Sequence, residues 1–311
     1  MVKYNQQMGV CMKIINFSNR EFSKLEYLNL PKNLCNQEAK LYLLDSKQKW
    51  EHDLYVLKCF NENYGRYFSN KLYTINELIN MKDKINMDEL VFPIALFSVN
   101  GEVKGYIMPF VKGVNLKAVL DSPFVPFEKK FVYLKKVGLI LEKMRKVRLY
   151  NGVPDFYLND LHEGNFVVDA ETDNLKVVDL DSAKIGTNEP MIAKYLRSFS
   201  KINTVSKYHQ QKNAYCNTFI PDENTDLYCY MIMIFNCMFG KNIDDYSITY
   251  FYEYLEYLDS LGVPREFLRM ASGIYDHNNN ENPCEYIEKL IPFYGRANVY
   301  TYEKVRAKKI A

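Results

Sequence analysis

Residues 156–186 read FYLNDLHEGNFVVDAETDNLKVVDLDSAKIG. Phe166, Val167 and Val168 form a short apolar run, Glu171 to Asn174 turn the chain, and Leu175, Val177 and Val178 form a second run. Apolar, β-branched runs on either side of a polar turn predict a hairpin. Asp160, Asn165, Asp179 and Asp181 stand at the mouths of its strands. Charged side chains are rarely fully buried unless paired, so oxygens gathered at strand ends point to a cation or a proton-transfer site.

On the N-terminal side, strand-like runs alternate with turns: YLNL from Tyr27, KLYLLD from Lys40 and LYVLKCF from Leu54. A helix is expected over Ser69 to Met81, with Leu72, Ile75, Leu78 and Ile79 on one face. Two more strands, VFPIALFSV and EVKGYIMPFV, are joined by Asn100-Gly101, a strong short-range hairpin signal. Residues 25–111 therefore read as a small, mostly antiparallel sheet with one helix. Residues 1–24 carry no pattern and read as an N-terminal extension.

From residue 112 to 311 the character is helical. Leu134, Val137, Leu141 and Met144 lie at helical spacing within residues 126–149, with lysines on the opposite face. Residues 187–223 are polar and poorly patterned. Asn224-Thr225-Asp226 then opens an apolar helix that ends at Gly240, with capping chemistry at each end. Further helices are expected over 247–292, with Pro264 and Pro283 near their starts. The expectation is an α+β, bilobal domain: a small antiparallel β-sheet lobe with one helix, then a larger, mainly α-helical lobe. The polar hairpin falls at their junction, where clefts commonly hold ligands.

Composition removes several classes of function. A formal net charge of +2 lacks the basic excess of a nucleic-acid or anionic-membrane binder. The most apolar stretch, Leu227 to Phe239, is short against the ~20 residues that a membrane-spanning helix needs. Seven dispersed cysteines without a C-x-x-C pair read as reduced thiols of a cytoplasmic protein. The four histidines show no zinc-ligand spacing.

The order of these features resembles the protein kinase family. Asp160-Leu161-His162-Glu163-Gly164-Asn165 has the spacing of the catalytic-loop D-x-x-x-x-N. The resemblance implies that Asp160 accepts the proton of an attacking hydroxyl and that Asn165 holds a metal ion. Asp179 stands where the family has the Asp of D-F-G, a magnesium ligand, and Asp181 is a further candidate ligand. Lys58 in YVLKCF corresponds to the strand lysine that contacts the α and β phosphates, and Glu77 in TINEL to the helix carboxylate that pairs with it. In YIMPFVKG, Met108 would line the adenine pocket, the Pro109 carbonyl would face the adenine amino group and Val111 would supply the N–H. Asp226 matches the helix aspartate that anchors the catalytic-loop backbone. ATP and magnesium, with manganese as an alternative ion, are the implied cofactors.

The likeness spans roughly Leu28 to Leu290 and departs from the family at named places. PKNLCNQEAK, residues 31–40, holds no glycine where a phosphate loop is expected. H-R-D is Leu158-Asn159-Asp160 and D-F-G is Asp179-Leu180-Asp181. His162 stands where eukaryotic protein kinases carry lysine, as in bacterial and small-molecule phosphotransferases, and no A-P-E follows. The expected activity is transfer of the γ-phosphate to a hydroxyl, a protein Ser or Thr ahead of a small molecule of the aminoglycoside or choline kinase type. A pseudokinase that binds nucleotide or scaffolds without transfer is the alternative from another class. Read blandly, Lys58 is a surface strand lysine, Glu77 a solvated helix residue, Asp160 and Asn165 are turn residues, and Asp226 is a helix cap.

Overall fold

The computed structural model describes residues 2–5, 12–28, 38–45, 54–61, 65–153, 155–188, 190, 221–240, 248–296 and 298–310. The fold is α+β. It divides into two units. The first falls within Met1–Gly113, Val147–Phe156 and Val167–Met191, and the second within Val114–Lys146, Tyr157–Phe166 and Ile192–Ala311.

The first unit is built on strands β1 (Val2–Asn5), β2 (Met12–Phe17), β3 (Glu26–Tyr27), β4 (Ala39–Asp45), β5 (Leu54–Phe60), β6 (Ala95–Val99) and β7 (Glu102–Pro109). They form one seven-stranded sheet in the order β1-β2-β6-β7-β5-β4-β3. All pairs are antiparallel except β2 with β6, which run parallel. This corrects the reading of residues 1–24 as an unpatterned extension. They supply two strands of the sheet and the short helix α1 (Asn19–Phe22), which Ser18 caps in a capping box with Glu21. The partner of β2 is β6, far along the chain, so no local turn signal announces the pairing.

The β6–β7 hairpin forms where Asn100-Gly101 predicts it. Both residues have positive φ (50° and 88°), as a tight turn matching strand twist requires, and Val99 pairs with Glu102. β5 lies between β4 and β7 and is covered on both faces, which explains why YVLKCF reads as a continuous run rather than an alternation. One face packs Tyr55 and Leu57 with Phe97, Val99, Ile107, Phe22 and Leu25. The other packs Val56 and Phe60 with Leu96, Tyr106, Met108 and helix residues Leu72, Ile75 and Ile79. That helix, α2 (Gly65–Ile85), is longer at both ends than its expected span. At the C-terminal end, buried Ile85 continues the stripe from Leu78. Asn86 then closes the helix with a left-handed backbone (φ 44°).

A smaller sheet of order β10-β9-β8 comprises β8 (Gly113–Asn115), β9 (Phe166–Asp169) and β10 (Leu175–Val177). β9 and β10 are the predicted hairpin. Its turn is held by Asp169, whose carboxylate accepts the N–H groups of Glu171 and Thr172 at 2.9 and 2.8 Å. β10 is tied to the rest of the first unit through Val177, which donates to Glu89 at 2.7 Å and accepts from Val91 at 2.9 Å.

The second unit is helical: α3 (Leu116–Asp121), most of α4 (Phe127–Tyr150), α5 (Glu223–Phe239), α6 (Ile248–Ser260), α7 (Arg265–Tyr275), α8 (Ile287–Leu290) and α9 (Val299–Ile310). α5 is apolar on all sides and buried nearly throughout, as a central helix must be. Its Phe235 ring meets Phe239, Phe251, Tyr254 and Phe267, with ring centroids 5.0 to 6.5 Å apart. Tyr230 donates to the Leu134 carbonyl of α4 at 2.8 Å. The N-cap of α5 is Asp222, in a capping box with Thr225, and Gly240 ends the helix at φ 78°. The cap thus lies one turn ahead of Asp226. Among the described residues, no helix is long and apolar enough to cross a membrane.

Candidate functional site

Lys58 is placed by strand geometry. Side chains alternate along β5, so Lys58 shares the α2-facing side with Val56 and Phe60 and is only 2% exposed. Its register is set by pairing with Leu41 on β4 and Tyr106 on β7. The neighbouring pair, Cys59 with Gly105, needs glycine, because a Cβ there would overlap the Lys58 carbonyl oxygen. An ammonium ion at this depth requires counter-ions. It has two: Asp179, through Oδ1, and Asp181, whose Oδ2 is 2.7 Å away.

Both aspartates follow directly from the hairpin. After β10 the chain passes through Asp179 in a left-handed conformation (φ 63°, ψ 55°) into a single 3-10 turn, Leu180–Ser182. Aspartate tolerates that backbone better than most residues. The reversal sends both carboxylates toward Lys58. The segment beyond is fastened to α2: Asn188 donates to Thr74 Oγ1 at 2.6 Å, and the hydroxyls of Tyr73 and Thr187 are 3.1 Å apart.

Lys71, Tyr106 and their neighbours complete the cluster. Lys71 on α2 lies 2.5 Å from Asp181 Oδ1, 3.0 Å from Glu38 Oε2 and 3.4 Å from Ser182 Oγ. The buried Tyr106 hydroxyl is 3.4 Å from both Asp179 Oδ1 and Asp181 Oδ2. Both ammonium groups also flank the Phe60 ring, at 5.7 Å for Lys58 and 5.5 Å for Lys71, where the ring quadrupole attracts cations.

The electrostatics separate the two aspartates. Burial and the nearby Asp181 charge push the Asp179 carboxyl up to about 6, against the opposing pull of Lys58. For Asp181, burial also favours the neutral acid, but the charges of Lys58 and Lys71 outweigh it and hold the group well below the usual carboxylate range. Burial works against the Lys58 ammonium too, and the charges of Asp179 and Asp181 overcome it, so this lysine stays protonated.

One expectation changes here. Lys58 was expected to pair with Glu77, yet its carboxylate partners are Asp179 and Asp181. Glu77 is half-buried on α2 and faces the chain near Gly186. Asp181, the further candidate metal ligand, has Lys58 at Oδ2 and Lys71 at Oδ1, and is a counter-ion shared by the two lysines. Asp179 keeps an oxygen, Oδ2, outside the cluster's hydrogen bonds, on a side chain that is 23% exposed. Met108 packs in the α2-facing core beside Val56 and Ile75, with Val111 at its edge. Pro109 is half-buried and pairs with Tyr55.

The loop carrying Asp160 and Asn165 belongs to the second unit. Asp226 on α5, itself buried, accepts the N–H groups of Leu158 and Asn159 at 2.8 Å each. This is the anchoring contact implied for it. Asn159 turns the chain with φ 63°, and Asp160 follows, half-buried. Asn165 Nδ2 donates to the Asp160 carbonyl at 2.8 Å, which leaves Oδ1 as the atom available to a cation. His162 Nδ1 accepts from Gly164 N–H at 3.0 Å, and its Nε2 is 3.9 Å from Asp160 Oδ1. Asn115 Nδ2 holds the Gly164 carbonyl at 2.6 Å.

Among the described residues no group of three His, Cys, Asp or Glu side chains is arranged to hold a metal ion. The glycine-free loop of residues 31–40 lies outside the described residues up to position 37. Lys71, Tyr106 and Glu38 were missed by sequence reading. Lys71 left a signal, since it stands at i−4 and i−7 from buried Ile75 and Leu78, on the apolar stripe of its helix. No protein-family model matches the chain, and no curated protein matches it.

Proposed function

We propose that this chain is an ATP- and magnesium-dependent phosphotransferase of protein-kinase-like, two-lobed architecture. The observation that carries the reading is Lys58, buried in the sheet with its ammonium held by Asp179, which lies just beyond β10. A lysine fixed in this way suits the α and β phosphates of a nucleotide, and an adjacent aspartate suits a hard cation bridging those phosphates. Magnesium would supply charge neutralisation on the phosphates, with Asp179 Oδ2 as an oxygen donor; the family resemblance implies a metal-holding role for Asn165 as well. Asp160, on a loop immobilised by Asp226, would take the proton of the acceptor hydroxyl. Met108, Pro109 and Val111 would border the adenine.

A protein Ser or Thr hydroxyl is the acceptor we favour over a small molecule. One observation supports a second reading, nucleotide binding without transfer: residues 31–40, where a phosphate loop is expected, contain no glycine, the residue that lets a backbone approach a ligand closely. Titration of magnesium-ATP into the full chain by calorimetry tests the shared part of both readings. Saturable binding that is lost in Lys58→Met and becomes magnesium-independent in Asp179→Ala supports it. Binding of equal strength in all three proteins would refute it.

A further inference from the structure

Asp181 is gripped from two sides. Lys58 reaches it from β5, at 2.7 Å from Oδ2, and Lys71 reaches it from α2, at 2.5 Å from Oδ1. Both contacts are inside the protein: Asp181 is 1% exposed, Lys58 2% and Lys71 11%. Resting on the phosphotransferase reading above, we infer that Lys71 is a positioning residue for Lys58, acting through Asp181. The helix thus supplies a cation at the place where the kinase resemblance expects the anion Glu77.

Charge balance is the first argument. Lys58 between Asp179 and Asp181 leaves one negative charge in excess, which a buried site tolerates poorly. Lys71 makes two ammonium groups against two carboxylates. Glu38, more exposed, adds a third carboxylate at the rim, on the Lys71 side.

Mechanics is the second. A phosphate that takes Lys58 must displace Asp179 from it, and Asp181 is then the remaining anchor of the ammonium. Asp181 is itself held at its other oxygen, by the Lys71 ammonium at 2.5 Å and more weakly by the Ser182 hydroxyl at 3.3 Å. Lys71 also joins α2 to Glu38, which directly precedes β4. The contacts of Thr74 with Asn188 and of Tyr73 with Thr187 fasten the segment beyond Asp181 to the same helix. The position of α2 is thereby transmitted to Lys58 by one carboxylate rather than by a direct helix–lysine pair.

The test is calorimetric titration of magnesium-ATP into the full-length chain and its variants, each well below its own melting temperature. Lys71→Met should weaken binding at least about tenfold, the factor that one lost charge-assisted hydrogen bond is worth. Lys71→Arg, which keeps the charge and reach, should recover most of that loss. The loss in Lys71→Met should exceed the loss in Glu77→Gln, and combining Lys71→Met with Asp181→Asn should cost no more than the worse single change. Wild-type binding that is matched by Lys71→Met overturns the role of Lys71 and leaves the phosphotransferase reading standing. A lower melting temperature with unchanged affinity does the same, because it marks a purely structural lysine. Absence of binding in the wild type overturns the phosphotransferase reading itself, and the role of Lys71 falls with it.

Discussion

Lys58 and Asp181 form an ion pair of 2.7 Å in which neither side chain is more than 2% exposed. Such a pair is costly to break from one side, because the surviving charge stays buried without its partner. Asp181→Asn strips Lys58 and Lys71 of a shared counter-ion and should cost about 3–5 kcal/mol of stability. Urea denaturation measures it. A loss below about 1 kcal/mol would mean that the two lysines find other partners.

Asp179→Asn should behave in the opposite way. Burial and the Asp181 charge disfavour its ionised form and raise its carboxyl to about 6. The folded chain therefore holds a proton between about pH 4 and 6 that the unfolded chain releases, so this group lowers stability as pH rises through that window. Asp179→Asn cannot titrate. It should match the wild type near pH 4 and be at least as stable at pH 7, with a relative gain of about 1–3 kcal/mol across the window. Denaturation midpoints at both pH values check this, and a variant that loses stability relative to the wild type as pH rises would contradict it.

Asp226→Ala removes the acceptor of two buried N–H groups, those of Leu158 and Asn159. The expected cost is about 3 kcal/mol, since each donor loses a charged partner. Hydrogen exchange at Leu158 and Asn159 should accelerate together. Continued protection of both amides in the variant would show that the loop is held by other contacts.

Gly105→Ala should disturb Lys58 from behind. The added Cβ would overlap the Lys58 carbonyl, so β5 and β7 must separate at the Cys59–Gly105 pair, at about 1–3 kcal/mol or more. Chemical denaturation gives the cost, and exchange rates across β5 locate it. A variant as stable as the wild type would mean that the strands shift without penalty.

Much of this was legible in the sequence because it is local. Asn100-Gly101 fixes the β6–β7 hairpin, the continuous run YVLKCF marks a strand covered on both faces, and the even apolarity of residues 227–239 marks a central helix. The misses came from contacts between distant segments. β2 finds β6 without a connecting turn, so nothing near residues 12–17 announces a strand. Asn224, Thr225 and Asp226 are all good capping residues, yet Asp222 takes the cap by reciprocal bonding with Thr225, and Asp226 is released to hold the loop. The counter-ion of Lys58 was the largest miss. Family analogy assigned it to Glu77, whereas the left-handed turn at Asp179 brings Asp179 and Asp181 to the lysine and draws Lys71 in behind them. Only a lysine standing on an apolar helical stripe hinted at this.

The most direct test of the account is transfer itself. The full chain is incubated with magnesium and ATP labelled in the γ-phosphate, and label is followed on the chain, on a generic protein substrate and as free phosphate. Phosphotransferase chemistry predicts labelled product that requires magnesium, falls by orders of magnitude in Asp160→Asn while nucleotide binding persists, and disappears in Lys58→Met. Label appearing at the same rate in Asp160→Asn and Lys58→Met as in the wild type would contradict the assignment of the site.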